Sequence, residues 1–157
     1  DPIRIDVHDD VPREAGAIVD AGLGAFNDAA APLHEVRPLS CFAKGPGDEV
    51  IGGAVGRTWG QAAEIQQLWV SEAHRRGGIG ATLVRAFEAR AVQRGCRALY
   101  LETLSFQAPR FYASLGYRVV FELRALPHGV VRFTMLREIG QPGRGRPTAV
   151  AAGLERE

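Results

Sequence analysis

Apolar and polar residues alternate along Ile3-Arg4-Ile5-Asp6-Val7, the two-residue period of a half-buried strand. Pro12 then opens an alanine-rich stretch in which Ala15, Ile18, Val19, Leu23 and Phe26 recur at helical spacing, interrupted by Gly16, Gly22 and Gly24. Turn residues gather at Gly45-Pro46-Gly47-Asp48, so the flanking runs 40–44 and 49–58 predict the arms of a hairpin. Trp59-Gly60-Gln61 reads as the next turn and 62–70 as the strand after it. Between 79 and 94 the period lengthens. Ile79, Leu83, Val84, Phe87 and Ala91 form one stripe, opposite Arg85, Glu88, Arg90 and Gln93. Gly95 follows where a left-handed helix cap needs no side chain.

Ala98-Leu99-Tyr100-Leu101 is a continuous apolar run, as expected of a strand buried in a sheet. The spacing predicts a short helix over 108–115 closed by Gly116, and two more strands over 117–123 and 130–136. This order of elements predicts an α/β fold on a mixed, mostly antiparallel sheet with one parallel crossover. From Ile139 the chain enters Gly-Gln-Pro-Gly-Arg-Gly-Arg-Pro and loses its period. Residues 1–139 are therefore expected to form one domain and 140–157 a flexible tail.

Composition narrows the classes. With 157 residues, 46% of them hydrophobic, the chain suits one globular domain and is too apolar for disorder. No run approaches the roughly 18–20 apolar residues of a membrane helix, and no signal-peptide pattern opens the chain. Nineteen basic and eighteen acidic residues leave a net charge of +1, which predicts neither a nucleic acid nor a membrane surface as partner. Cys41 and Cys96 read as small apolar packers, and four scattered histidines give no metal signature. A cytoplasmic protein is expected. Gly143-Arg144-Gly145-Arg146 lacks the aromatic residues of an RNA-binding segment and reads as solvated tail.

The chemistry concentrates in His74-Arg75-Arg76-Gly77-Gly78-Ile79-Gly80, between a predicted strand and a predicted helix. Glycines there let the backbone approach a ligand, and the first helical turn offers unpaired N–H groups at the positive end of the macrodipole. It is not a dinucleotide fingerprint, because Leu83 stands where glycine or alanine is required. Nor does a Gly-Lys-Ser/Thr follow, as a nucleotide-binding P-loop requires. The plain alternative is a glycine-rich turn that only starts a helix.

Arg75-x-x-Gly78-x-Gly80 matches the Q/R-x-x-G-x-G/A acyl-CoA signature of the GNAT N-acetyltransferase family. Leu68-Trp69-Val70 resembles the family's fourth strand. Ser105-Phe106-Gln107-Ala108-Pro109 with Phe111-Tyr112 and Leu115-Gly116-Tyr117 resembles its next signature. Gly52-Gly53, Trp59-Gly60 and Arg132-Phe133 are similar to one bacterial subgroup, and the likeness runs from about residue 3 to residue 137. The resemblance implies the GNAT acyl-CoA N-acyltransferase fold, with helices on both faces of the sheet. It implies acetyl-CoA as co-substrate, with no metal. Two strands would part at a bulge, and the pantetheine arm would pair with the exposed backbone of Leu68, Trp69 and Val70. The diphosphate would rest on the N–H groups of Arg76, Gly77, Gly78, Ile79, Gly80 and Ala81, with Arg75 and Arg76 adding charge. Phe111 and Ser105 fall in the cofactor-binding signature, Ser105 where many members carry an asparagine.

Acetyl transfer to an amine needs a base for the amine and a proton for the leaving thiolate. Glu64, eleven positions before Arg75, resembles in register the glutamate base of the family's histone-acetyltransferase branch. Its alternative is a solvent-facing strand residue, and Glu102 is the rival carboxylate. Tyr112 stands where the family often places a tyrosine near the thioester sulfur, and a phenol of pKa ~10 suits a proton donor. The alternative for Tyr112 is core packing beside Phe111. Direct attack in a ternary complex is the expected route, since nothing near Cys41 or Cys96 in sequence activates either thiol. The acceptor is expected to be a small-molecule or peptide amine. Its pocket is expected from the first helix and the loops 30–40 and 124–130, with His34 near its mouth; His128 stands in the second of those loops. A homodimer through the late strands fits the family, and a non-catalytic acyl-CoA-binding regulatory module is the rival class.

Overall fold

The computed structural model describes residues 2–140, so the expected tail lies, beyond Gly140, outside the described residues. The chain falls into two compact units, Asp1–Glu35 and a sheet-bearing unit from Val36 on. In the first, α1 spans Arg13–Ala30 and follows Pro12, as the pattern predicts. Its three glycines do not interrupt it, and no residue of it is buried. The strand expected at Ile3–Val7 does not form. Ile3, Ile5 and Val7 are irregular and exposed, because alternation marks a possible face while a strand also needs a neighbour to pair with.

The second unit holds β1 (Arg37–Lys44), β2 (Val50–Trp59), β3 (Ala62–Val70), α2 (Ile79–Gln93), β4 (Ala98–Leu104), α3 (Pro109–Ser114), β5 (Arg118–Leu123) and β6 (Arg132–Glu138). The sheet order is β1-β2-β3-β4-β6-β5, antiparallel throughout except at β3–β4. The predicted crossover is therefore the β3–α2–β4 unit. Gly95 and Gly116 take φ of 91° and 97°, closing α2 and α3 as left-handed caps. β4 runs past the apolar segment, because buried Thr103 continues its inward alternation.

The core lies on one face of this sheet. Ala54, Ile65, Leu99, Leu101 and Met135 meet the α2 stripe of Leu83, Val84, Phe87 and Ala91, and Tyr112 brings α3 to the same face. Glu88, expected on the solvent side of α2, is buried instead. Its Oε1 accepts from Arg85 Nη1 at 2.8 Å, and its Oε2 from Arg137 Nη1 and, at 3.5 Å, from the Tyr117 hydroxyl. Arg85 is a neighbour one turn back on α2, whereas Tyr117 and Arg137 come from distant parts of the chain; together they make burial of the charge tolerable. The opposite sheet face carries Arg57, Glu64, Tyr100 and Glu102.

Candidate active site

β3 and β4 pair in parallel at Ala62↔Ala98, Ala63↔Leu99, Glu64↔Tyr100 and Ile65↔Leu101, and then part. The cause sits on β3. Its register against β2 steps from Gly56↔Ile65 to Val55↔Gln67, leaving Gln66 as an extra residue. Such a bulge bends its strand out of the ladder. Between the diverging strands lies a cleft of about 740 Å³. Gln66, Gln67, Leu68, Trp69 and Val70 line one side of it; Glu102, Thr103, Phe106, Gln107, Ala108 and Tyr112 line the other. Along β3 the backbone of Leu68, Trp69 and Val70 has no β4 partner, so an extended ligand can add there as a strand.

The turn after β3 is locked by two local contacts. Ser71 Oγ lies 2.7 Å from His74 Nδ1, and Arg75 Nε donates to the Val70 carbonyl at 3.0 Å. Arg75 is thereby held at the cleft wall. Arg76 and Gly78 take φ of 68° and 84°, turning the chain sharply into α2. The first helical backbone bond runs from Thr82 N–H to the Gly78 carbonyl. The amides of Ile79, Gly80 and Ala81 therefore precede the helical ladder, at the positive end of the macrodipole. A Cβ at Gly80 would stand 3.3 Å from Phe111 Cζ and 3.9 Å from Val70 Cγ2, so a methyl there would press slightly on the Phe111 ring and a large side chain would wedge between α3 and β3.

Tyr112 lines the cleft and is 7% exposed. Its ring meets Phe111 edge-on at 5.2 Å and Tyr117 at 5.9 Å. Burial pushes its phenol up to about 12, so it stays protonated at neutral pH. Phe111 is not part of the cleft lining; it packs between Gly80 and Tyr112. Ser105 is not part of it either. Its Oγ accepts from the Val131 N–H at 3.0 Å and its own N–H donates to the Val131 carbonyl, which fastens β4 to the start of β6. The polar groups at that end of the cleft are Thr103 and Gln107, both missed in the sequence. Gln107 Oε1 accepts from the Leu104 N–H at 2.8 Å, a local turn contact that no periodicity announces.

Glu64 and Glu102 project on the same sheet face, on either side of the point where the strands part. Glu64 Oε2 accepts from the Tyr100 hydroxyl at 2.9 Å and from Arg57 Nη2 at 3.3 Å. Glu102 belongs to the cleft lining, whereas Glu64 stands just behind Ile65 and outside it. Arg132 Nε lies 3.9 Å from Glu102. Cys41 and Cys96 are unpaired and packed away from this cleft; burial pushes both thiols up, which disfavours a thiolate nucleophile. Among the described residues no helix is long and apolar enough to cross a membrane, and no group of three or more potential metal ligands gathers.

A gap between parallel strands, with one unpaired backbone edge and with Arg75, Glu102 and Tyr112 in its lining, is the class of site that this fold presents. Comparison with known proteins gives that class its family. The family model described as Acetyltransferase (GNAT) matches residues 13–117, across both compact units. The chain is 36% identical over 112 residues to the blasticidin-S acetyltransferase of Streptomyces morookaense, covering 69% of this chain and 82% of that one. It is 32% identical over 116 residues to an acetyltransferase of Agrobacterium fabrum, covering 74% and 85%. A crystal structure of a Bacillus cereus acetyltransferase superposes with a TM-score of 0.74 at 26% identity, covering 85% of this chain and 97% of that one. The chain belongs to the GNAT acetyltransferase family and is an acetyl-CoA-dependent N-acetyltransferase.

Proposed function

We propose that this enzyme acetylates a primary amine of a small-molecule acceptor by direct attack within a ternary complex. The observation that carries the reading is the arrangement around one opening in the sheet. Glu64 and Glu102 stand on one face of it, and Tyr112, whose phenol stays protonated, lines the cleft from α3. Acetyl-CoA supplies the activated acyl group, and the residues present fit it. The unpaired backbone of Leu68, Trp69 and Val70 suits the amides of an extended arm. The amides at 76–81, with Arg75 and Arg76, suit a diphosphate. A main-chain N–H of Leu68 or Val70 polarises the thioester carbonyl. Glu64, directly or through water, takes the amine proton, and Tyr112 donates to the departing sulfur.

A small-molecule acceptor draws support from the blasticidin-S acetyltransferase, whose name states its substrate. The same reading takes residues 1–139 as one acetyltransferase domain, which the family match over 13–117 supports. It places the reaction in the cytoplasm, in keeping with two unpaired cysteines. It also leaves β5, an edge strand with exposed Val119 and Phe121, as the surface for a homodimer. The test is thiol release from acetyl-CoA in the presence of blasticidin S, a panel of other small amines and a lysine peptide, with Glu64→Gln and Tyr112→Phe beside the wild type. Turnover of a small amine, lowered roughly 100-fold in each variant, is expected. Tight acetyl-CoA binding without amine-dependent thiol release from any acceptor would make this a binding module and overturn the proposal.

A further inference from the structure

A glutamate on a strand surface has several side-chain rotamers open to it and keeps one orientation only when something holds it. Glu64 is held from both neighbouring strands. In the β2–β3 ladder its partner is Arg57, and in the β3–β4 ladder its partner is Tyr100, so the three side chains form one row across the sheet. Both neighbours donate to the same oxygen, Oε2. Oε1 receives no side-chain donor among the described residues. The row crosses β3 one residue before the last parallel pair, Ile65↔Leu101, and two before the bulge at Gln66.

We infer that Tyr100 is a positioning residue for Glu64: with Arg57 it occupies Oε2, fixes the carboxylate beside the opening and leaves Oε1 as the oxygen that takes the amine proton. The inference rests on Glu64 being the base. Its chemistry is that of two donors on one carboxylate oxygen, Arg57 adding its charge, which fixes the direction in which the other oxygen points. Burial and the bond to Glu64 push the Tyr100 phenol up, so this donor keeps its proton through the neutral and mildly alkaline range. Other charged groups lie near the row. Glu102 stands two residues along β4 from Tyr100, and Arg132 of β6 lies 3.9 Å from it. On β3 the flanking Ala63 and Ile65 carry no charge, and across β2 the partner of Arg57 on β1 is Pro38.

The test is kcat and KM, measured separately at neutral pH with the fastest amine of the acceptor panel, for wild type, Tyr100→Phe, Arg57→Gln, Glu64→Gln and the double variant Tyr100→Phe/Glu64→Gln. A residue needed only for packing would lower stability and weaken acetyl-CoA binding, and its loss would add to that of Glu64. Here Tyr100→Phe and Arg57→Gln should each lower kcat roughly tenfold with KM for the amine little changed. The double variant should be no slower than Glu64→Gln alone, because a positioning residue acts only through the base. Unchanged acetyl-CoA affinity reports an intact fold, and if Tyr100→Phe fails to fold, Arg57→Gln carries the test alone. An unchanged kcat in Tyr100→Phe and Arg57→Gln, with Glu64→Gln inactive, overturns this inference and leaves Glu64 as the base. Full turnover by Glu64→Gln, or no turnover of any amine by wild type, removes the base assignment and the inference with it.

Discussion

Gly56 on β2 lies so close to Glu64 on β3 that a Cβ at position 56 would fall on the Glu64 carbonyl oxygen. The same atom would stand 2.9 Å from Phe87 Cζ. Gly56 faces Ile65 at the register step, so the missing side chain is what lets β2 stay paired while β3 bulges at Gln66.

Gly56→Ala should therefore act on both stability and site. Backbone must shift to admit the methyl, at a cost of roughly 3 kcal/mol, and the parting of β3 and β4 should change with it. Urea unfolding and acetyl-CoA titration of the same variant check this. Wild-type stability together with wild-type affinity would show that the bulge does not depend on this glycine.

Tyr112 gives a prediction in pH. Burial holds its phenol up to about 12, against an ordinary value of ~10, so the donor form persists across the neutral and mildly alkaline range. Activity should therefore show no alkaline limb from Tyr112 until pH exceeds roughly 11. The folded value lies above the unfolded one, so the folded state holds the extra proton between them. Stability is then complete below about 10 and declines as pH rises toward about 12. Burial also pushes up the phenols of Tyr117 and Tyr100, so Tyr112→Phe should lessen that decline without abolishing it, while lowering kcat, and alkaline unfolding curves of the two proteins make the comparison.

The buried carboxylate of Glu88 predicts an asymmetric pair of variants. Arg137→Ala leaves the charge with Arg85 and Tyr117 alone and should cost roughly 3 kcal/mol. Glu88→Gln keeps the shape and removes the charge, and should cost less. Urea midpoints decide it, and a harmless Arg137→Ala would mean that Arg85 alone suffices.

The fold was legible wherever a local period carried it. The α2 stripe, the hairpin around Gly45–Asp48 and the caps at Gly95 and Gly116 all follow from neighbours in sequence. What failed depended on distant partners. Ile3 to Val7 alternates correctly but finds no ladder, and a helical projection of α2 could not foresee that Arg137 and Tyr117 would take in Glu88. The turn at 75–78 and the helix start after it were legible because glycines and a helix start are local signals. Gln66 and Thr103 were not, since a bulge appears only when two strands are set in register. Ser105 was read from its place in a signature, while its hydroxyl is engaged by Val131.

The most direct test of the account is calorimetric titration of acetyl-CoA into wild type and Gly80→Trp. The indole would fill the space before Phe111 and Val70, at the helix start whose amides are assigned to the diphosphate. Tight binding by wild type, lost in a variant that keeps its fold by circular dichroism, is the predicted result. A well-folded wild type that does not bind acetyl-CoA, or a Gly80→Trp protein that binds it equally well, would contradict the placement of the carrier in this cleft.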